Sequence, residues 1–148
     1  MAGSEERVDS YLPSYFSIEI EGVQSGKFFK CEGLEAETYV YEVEEGGLNG
    51  AVHKFLGRTR YPNIVLENGV TDNNDLYDWY AGTALTDEPV ERRDGSVILH
   101  NSGGQEVKRW NFFRALPCRY VGPRLGVDAH GCAVERIEIA HEGLVLDE

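Results

Sequence analysis

The side chains of this sequence with the greatest chemical reach are Cys118, His130 and Cys132, because two thiolates and an imidazole suit zinc. No cysteine pair at short spacing accompanies them and no fourth ligand is evident, so they read as small core residues rather than a metal centre. The four histidines, His53, His100, His130 and His141, fall on separate segments, and no serine or cysteine sits in a G-x-S-x-G context. With 26 acidic residues some carboxylate pair always looks suitable for glycosidic chemistry, so that signal carries no weight. The glycine loops at Glu45–Gly50 and Ser102–Gly104 lack the G-x-x-x-x-G-K-[ST] spacing of a phosphate cradle and read as turns. Arg58-Thr59-Arg60 and Arg92-Arg93 suit salt links between subunits better than phosphate binding. Tyr39 and Tyr41 share a strand face but have Glu37, Glu42 and Glu44 for neighbours, whereas a base-stacking platform needs basic residues among its rings. The expectation is a chain with no catalytic residue, no cofactor and no metal.

The 148 residues suit one domain able to bury a core without disulfides or metal. A formal charge of −12 argues against nucleic-acid retention, which needs a clustered basic surface. Three widely spaced cysteines, an odd number, fit synthesis in a reducing cytoplasm. Residues 1–14 read as a polar leader before a single domain at 15–148, and no apolar run approaches the ~20 residues that span a bilayer.

The elements that must position these residues are mostly strands. Phe16, Ile18 and Ile20 alternate with Ser17, Glu19 and Glu21, which predicts a half-buried strand over Tyr15–Glu21. Gln24-Ser25-Gly26 reads as the turn into a second strand. That strand starts near Lys27, breaks or bulges at Gly33 and resumes over Ala36–Glu44. The glycine-rich loop Glu45–Gly50 and a returning strand, Ala51–Phe55 before Gly57, suggest a projecting hairpin arm. A short apolar strand follows over Pro62–Leu66. A helix of about ten residues is then predicted, with Thr71 or Asp72 as N-cap, Leu76, Trp79 and Tyr80 as its docking face and Gly82 as its stop. Strands over Glu91–His100 and Gln105–Ala115 form another hairpin, Arg119–His130 reads as a loop, and a last strand runs over Ala133–His141 and resumes at Leu144–Leu146. This order points to a mainly antiparallel β-sandwich or barrel with one short helix packed outside, whose edges a neighbouring copy can satisfy.

An ordered series of motifs then identifies a resemblance. YFSIEIEG at Tyr15–Gly22, CEGLE at Cys31–Glu35, YEVEEGG at Tyr41–Gly47 and PNIVLENG at Pro62–Gly69 are followed by LYDWY at Leu76–Tyr80, WNFFRALP at Trp110–Pro117 and AHEGL at Ala140–Leu144. Together they resemble the tail tube proteins of contractile-tailed phages and of phage-derived contractile injection systems. The resemblance implies a non-enzymatic protomer, six copies to a ring, and rings stacked into a hollow tube inside a contractile sheath. Its implied partners are itself, the sheath, and baseplate, spike and tail-terminator proteins, with cargo protein or DNA in transit. The implied place is an injection particle or phage tail. The arm implied to contact neighbouring subunits and the next ring is Glu45, Gly46, Gly47, Leu48, Asn49, Gly50, His53 and Phe55. Six copies of −12 make −72, so a negatively lined channel that repels DNA is expected. The alternative reading is a monomeric β-barrel with Phe28, Ile98, Trp110 and Ile137 around a pocket for a small lipophilic ligand.

Overall fold

The computed structural model of the chain describes residues 15–21, 23–46, 50–69, 74–89, 91–127 and 133–147. The strands are β1 (Tyr15–Ile20), β2 (Val23–Phe28), β3 (Lys30–Glu32), β4 (Glu37–Glu44), β5 (Val52–Arg60), β6 (Ile64–Gly69), β7 (Arg93–His100), β8 (Glu106–Val121), β9 (Val134–Ala140) and β10 (Gly143–Asp147). The helix, α1 (Asp75–Ala84), lies between β6 and β7. All strand pairs are antiparallel, with eight strands in the order β2-β1-β7-β8-β9-β6-β3, β10 beside β8, and β4 and β5 as a separate pair.

The eight-stranded sheet folds over on itself at β8. Its first part pairs with β7 and β10, and its last part, from Leu116, pairs with β9. At the bend Arg114 takes a positive φ of 53°, a conformation uncommon for a residue with a side chain. Three contacts hold it there: its N–H donates to Asp94 Oδ1 at 2.9 Å, its Nε donates to Glu142 at 2.6 Å, and its carbonyl accepts from Arg92 at 3.2 Å. At the other corner β2 runs through Phe29 directly into β3, and the Phe29 N–H donates to the Glu67 carbonyl at 3.2 Å. Two layers result, and alternation explains what fills them. Ile18 and Ile20 turn inward to meet Val97, Phe112, Ala115, Ile64, Leu66, Ile137 and Ile139, while Ser17 and Glu19 turn outward.

Several boundaries differ from those predicted. The first hairpin closes with Ile20 paired to Val23, and Gln24-Ser25-Gly26 belong to β2, with a register irregularity opposite the Ser17/Ile18 step. Gly33 does more than bulge one long strand. It sends the chain from β3 out of the sheet, with φ 91° and the Asn63 carbonyl packed where a Cβ would stand. The strand after the arm passes through Gly57 to Arg60. The helix is capped by Asn74, without a side-chain cap bond, and Thr71 and Asp72 lie outside the described residues. Gly82 does not stop it, because its φ is not positive and Leu85 N–H still donates to the Ala81 carbonyl at 3.1 Å. The strand predicted to end at Ala115 continues to Val121, because Pro117 sits beside an irregularity between Pro117 and Arg119.

Candidate functional site

The feature with the least internal explanation is the hairpin β4–β5. Its turn is held by a Glu45 N–H bond to the Ala51 carbonyl at 3.4 Å and by Gly50 at φ 64°. His53 Nε2 stands 3.5 Å from Glu45 Oε1. Directly opposite residues share a face, so the register places Tyr41 with Phe55 and Val43 with His53 on one side, and Val40 with Leu56, Glu42 with Lys54 and Glu44 with Val52 on the other. Tyr41 and Phe55 stack with ring centroids 5.5 Å apart. Gly57 leaves room for the neighbouring rings, because a Cβ there would come within 3.2 Å of Tyr39 Cδ1. Both faces of this ribbon are apolar in part and both are open: Tyr39, Val40, Tyr41, Val43, Val52, Phe55 and Leu56 are all exposed, Leu56 at 75%. An isolated two-stranded ribbon is marginal in water, so such a surface calls for a partner.

Of the arm residues expected from the sequence, Glu45, Gly46 and Gly50 lie at the tip and His53 and Phe55 on β5, while Gly47, Leu48 and Asn49 lie outside the described residues. Sequence reasoning missed most of the arm's apolar surface, namely Val40, Val43, Val52 and Leu56. The available signal was a strand with apolar residues at odd and even positions alike, and so no single buried face.

The helix is attached differently. Leu76 and Trp79 enter the core cluster, and Tyr80 is half-buried. Tyr77 and Tyr80 both pack against Tyr120, with centroids 5.1 and 6.5 Å apart. The Tyr120 hydroxyl donates to Glu135 at 2.8 Å. Burial first, and that bond second, push the Tyr120 phenol up to about 12.

The arrangement offers little for chemistry. Cys118 donates to the Glu138 carbonyl at 3.4 Å and accepts from Asn63 at 3.5 Å, while His130 and Cys132 lie outside the described residues. Among the described residues no three His, Cys, Asp or Glu side chains gather as a metal site would require. The residues suggested for an apolar pocket do not converge. Phe28 and Ile137 are packed within the core, whereas the register places Ile98 and Trp110 on opposite faces of their sheet. An open cavity of about 370 Å³ lies elsewhere, lined by Glu19, Glu21, Asp94, Ser96, Asn111 and Phe113. No helix among the described residues is long and apolar enough to cross a membrane.

Known structures share this architecture. The chain is similar to one in the sheath-tube complex of an extracellular contractile injection system, PVC, in its extended state, with 24% identity over 99% of this chain and 98% of that one and a TM-score of 0.80. It is similar to a chain of the anti-feeding prophage tube-terminating cap, with 26% identity, 99% of each chain covered and a TM-score of 0.79. Hcp1 from Flavobacterium johnsoniae matches more distantly, with 18% identity over 89% of this chain and 94% of that one and a TM-score of 0.54. A sequence search of curated proteins finds no match. The profile of the T4-like virus tail tube protein gp19 family matches residues 12–145, nearly the whole length, and the chain therefore belongs to that tail tube family.

Proposed function

We propose that this tail tube protein is a non-enzymatic structural subunit whose copies close into six-membered rings and stack into the hollow inner tube of a contractile injection particle or phage tail. The arm carries this reading. A hairpin with apolar residues on both faces and no cover from the other described residues fits a molecule whose fold is completed by neighbouring copies. Burying one exposed aliphatic or aromatic side chain contributes about 1.5–3 kcal/mol, so an arm with seven of them supplies a strong driving force once multiplied around a ring. The sheath encloses the tube, baseplate and terminator proteins bound its ends, and the channel conducts cargo. The chain is made in a bacterial cytoplasm and leaves as part of the particle.

Deleting residues 46–50 tests the reading, because it shortens the arm without touching the core. The expected result is a protomer with unchanged circular dichroism and urea midpoint that no longer forms stacked rings in sedimentation and electron microscopy. Tubes formed as readily as by the intact chain would contradict the role given to the arm.

A further inference from the structure

We propose that Tyr77 and Tyr120 form an oxidative modification site, at which a one-electron oxidant joins the two rings as dityrosine and so ties α1 covalently to β8. The inference goes beyond the tube reading and applies to a single protomer as it does to a ring. Tyr77 stands edge-on to Tyr120, with ring centroids 5.1 Å apart and planes inclined by 69°. An edge-to-face pair at this separation keeps ring carbons of the two phenols in van der Waals contact. Tyr77 is 43% exposed on α1, so an oxidant can reach it and the ring has room to turn towards its partner. Tyr80 stacks on the same Tyr120 ring more distantly, at 6.5 Å, which leaves Tyr77 as the nearer phenol. Elsewhere the tyrosines meet rings of other kinds: Tyr41 stacks on Phe55, while Tyr15 and Tyr61 lie against His100 and His141, and none of those partners forms a phenoxyl radical.

Proton acceptors decide where the oxidation settles. A phenol that gives up an electron at neutral pH gives up its proton as well, and it does so readily where a base already stands within hydrogen-bond reach. The Tyr120 hydroxyl donates to Glu135 Oε2 at 2.8 Å, so the carboxylate receives the proton along an existing bond. Burial disfavours the phenolate of Tyr120, which leaves joint loss of electron and proton as its route to the radical. Tyr77, at the surface, passes its proton to water. Trp79 on the same helix is the contrast. It is 6% exposed, and among the described residues its Nε1 has no hydrogen-bond partner, so an oxidised indole there has no acceptor for its proton. The step balances as follows. Each phenol loses one electron and one proton, and two equivalents of the oxidant, an oxidised metal complex or a carbonate radical, are reduced. The two phenoxyl radicals pair their odd electrons in one C–C bond between carbons ortho to the oxygens. The hydrogens on those carbons then move to the oxygens, which restores both rings and leaves the protein lighter by two hydrogen atoms.

Oxidation of the full chain by tris(bipyridyl)ruthenium(III), generated with light and persulfate, tests the site. Dityrosine fluorescence follows the reaction, and mass spectrometry of tryptic peptides locates the bond. The expected product is a peptide pair joined through Tyr77 and Tyr120, formed within one copy and at a rate that does not change on dilution. Tyr77→Phe and Tyr120→Phe should each abolish this peptide, and Tyr80→Phe should retain it. All three keep an aromatic ring in place, and circular dichroism with the urea midpoint confirms that each is folded. Glu135→Gln removes the proton acceptor while keeping the shape of the side chain, and it should slow the linkage about tenfold. The linked wild-type chain should also show a higher urea midpoint than the unlinked one, because the bond constrains the unfolded chain. Dityrosine found only between copies, or undiminished in Tyr120→Phe, would overturn the site. A rate unchanged in Glu135→Gln would overturn the part given to the carboxylate. The absence of any linked peptide from wild-type protein, with free tyrosine in the same vessel coupled to dityrosine, would overturn the proposal as a whole and leave the tube reading as it stands.

Discussion

At the scale of single residues, the corners of the fold depend on side chains whose absence or confinement is specific. Gly33 holds φ 91°, and a Cβ there would run into the Asn63 carbonyl. Gly33→Ala is therefore expected to cost at least ~3 kcal/mol, combining left-handed strain with a backbone clash, and urea denaturation measures it. An unchanged urea midpoint would show that β3 leaves the sheet by another route. Burial, with Glu32 second, pushes the Cys31 thiol up to about 12. A raised thiol pKa contributes stability that is fully present below the unfolded value, near 8.5, and is lost as pH climbs towards 12. The urea midpoint of wild-type protein should fall more steeply between pH 9 and 11 than that of Cys31→Ala, and parallel profiles would contradict a buried neutral thiol. The break at Gly33 was legible in the sequence because glycine after an acidic strand end marks a departure. The αL conformation of Arg114 was not, because arginine carries no such signal and only the tertiary contacts to Asp94 and Glu142 impose it.

At the scale of elements, alternation made β1 readable, since it buries one face, but not β7, which buries Ser96, Val97 and Ile98 in a row and is legible from its apolar run instead. It failed for β8, where a proline inside a strand normally argues against one and only the neighbouring irregularity accommodates it. It also misplaced the turn of the first hairpin, where Gln24-Ser25-Gly26 belong to β2, and the stop of α1, where Gly82 keeps a helical conformation rather than a positive φ. The arm was legible as a hairpin, but its full reach from Glu37 to Arg60 was not, because a ribbon with exposed apolar residues on both faces follows no single-face period. Spacing suggested Leu76 and Trp79 as docking residues, and both lie in the core, each 6% exposed. Trp79→Ala is expected to cost about 3–5 kcal/mol by urea denaturation. An unchanged midpoint would show that the indole packs against another copy rather than its own sheet.

At the scale of the whole molecule, a charge of −12 opposes gathering copies into a ring, so assembly must draw on buried apolar surface and paired edges. Screening by salt weakens the repulsion between rings, and tube yield is expected to rise between about 20 and 300 mM sodium chloride, where the Debye length shortens severalfold. Light scattering at increasing salt checks this, and a falling yield would show that attractive charge pairs dominate assembly. The motif order disclosed the family because the motifs run over nearly the whole matched length, residues 12–145, while the packing of copies was hidden because it depends on surfaces that only the folded chain defines. Whether this chain polymerises into a tube is read out by electron microscopy of the purified protein, alone and with its sheath. Six-fold rings or stacked tubes with an open channel are the predicted result, and particles that remain single 16.6 kDa protomers in both conditions would contradict it.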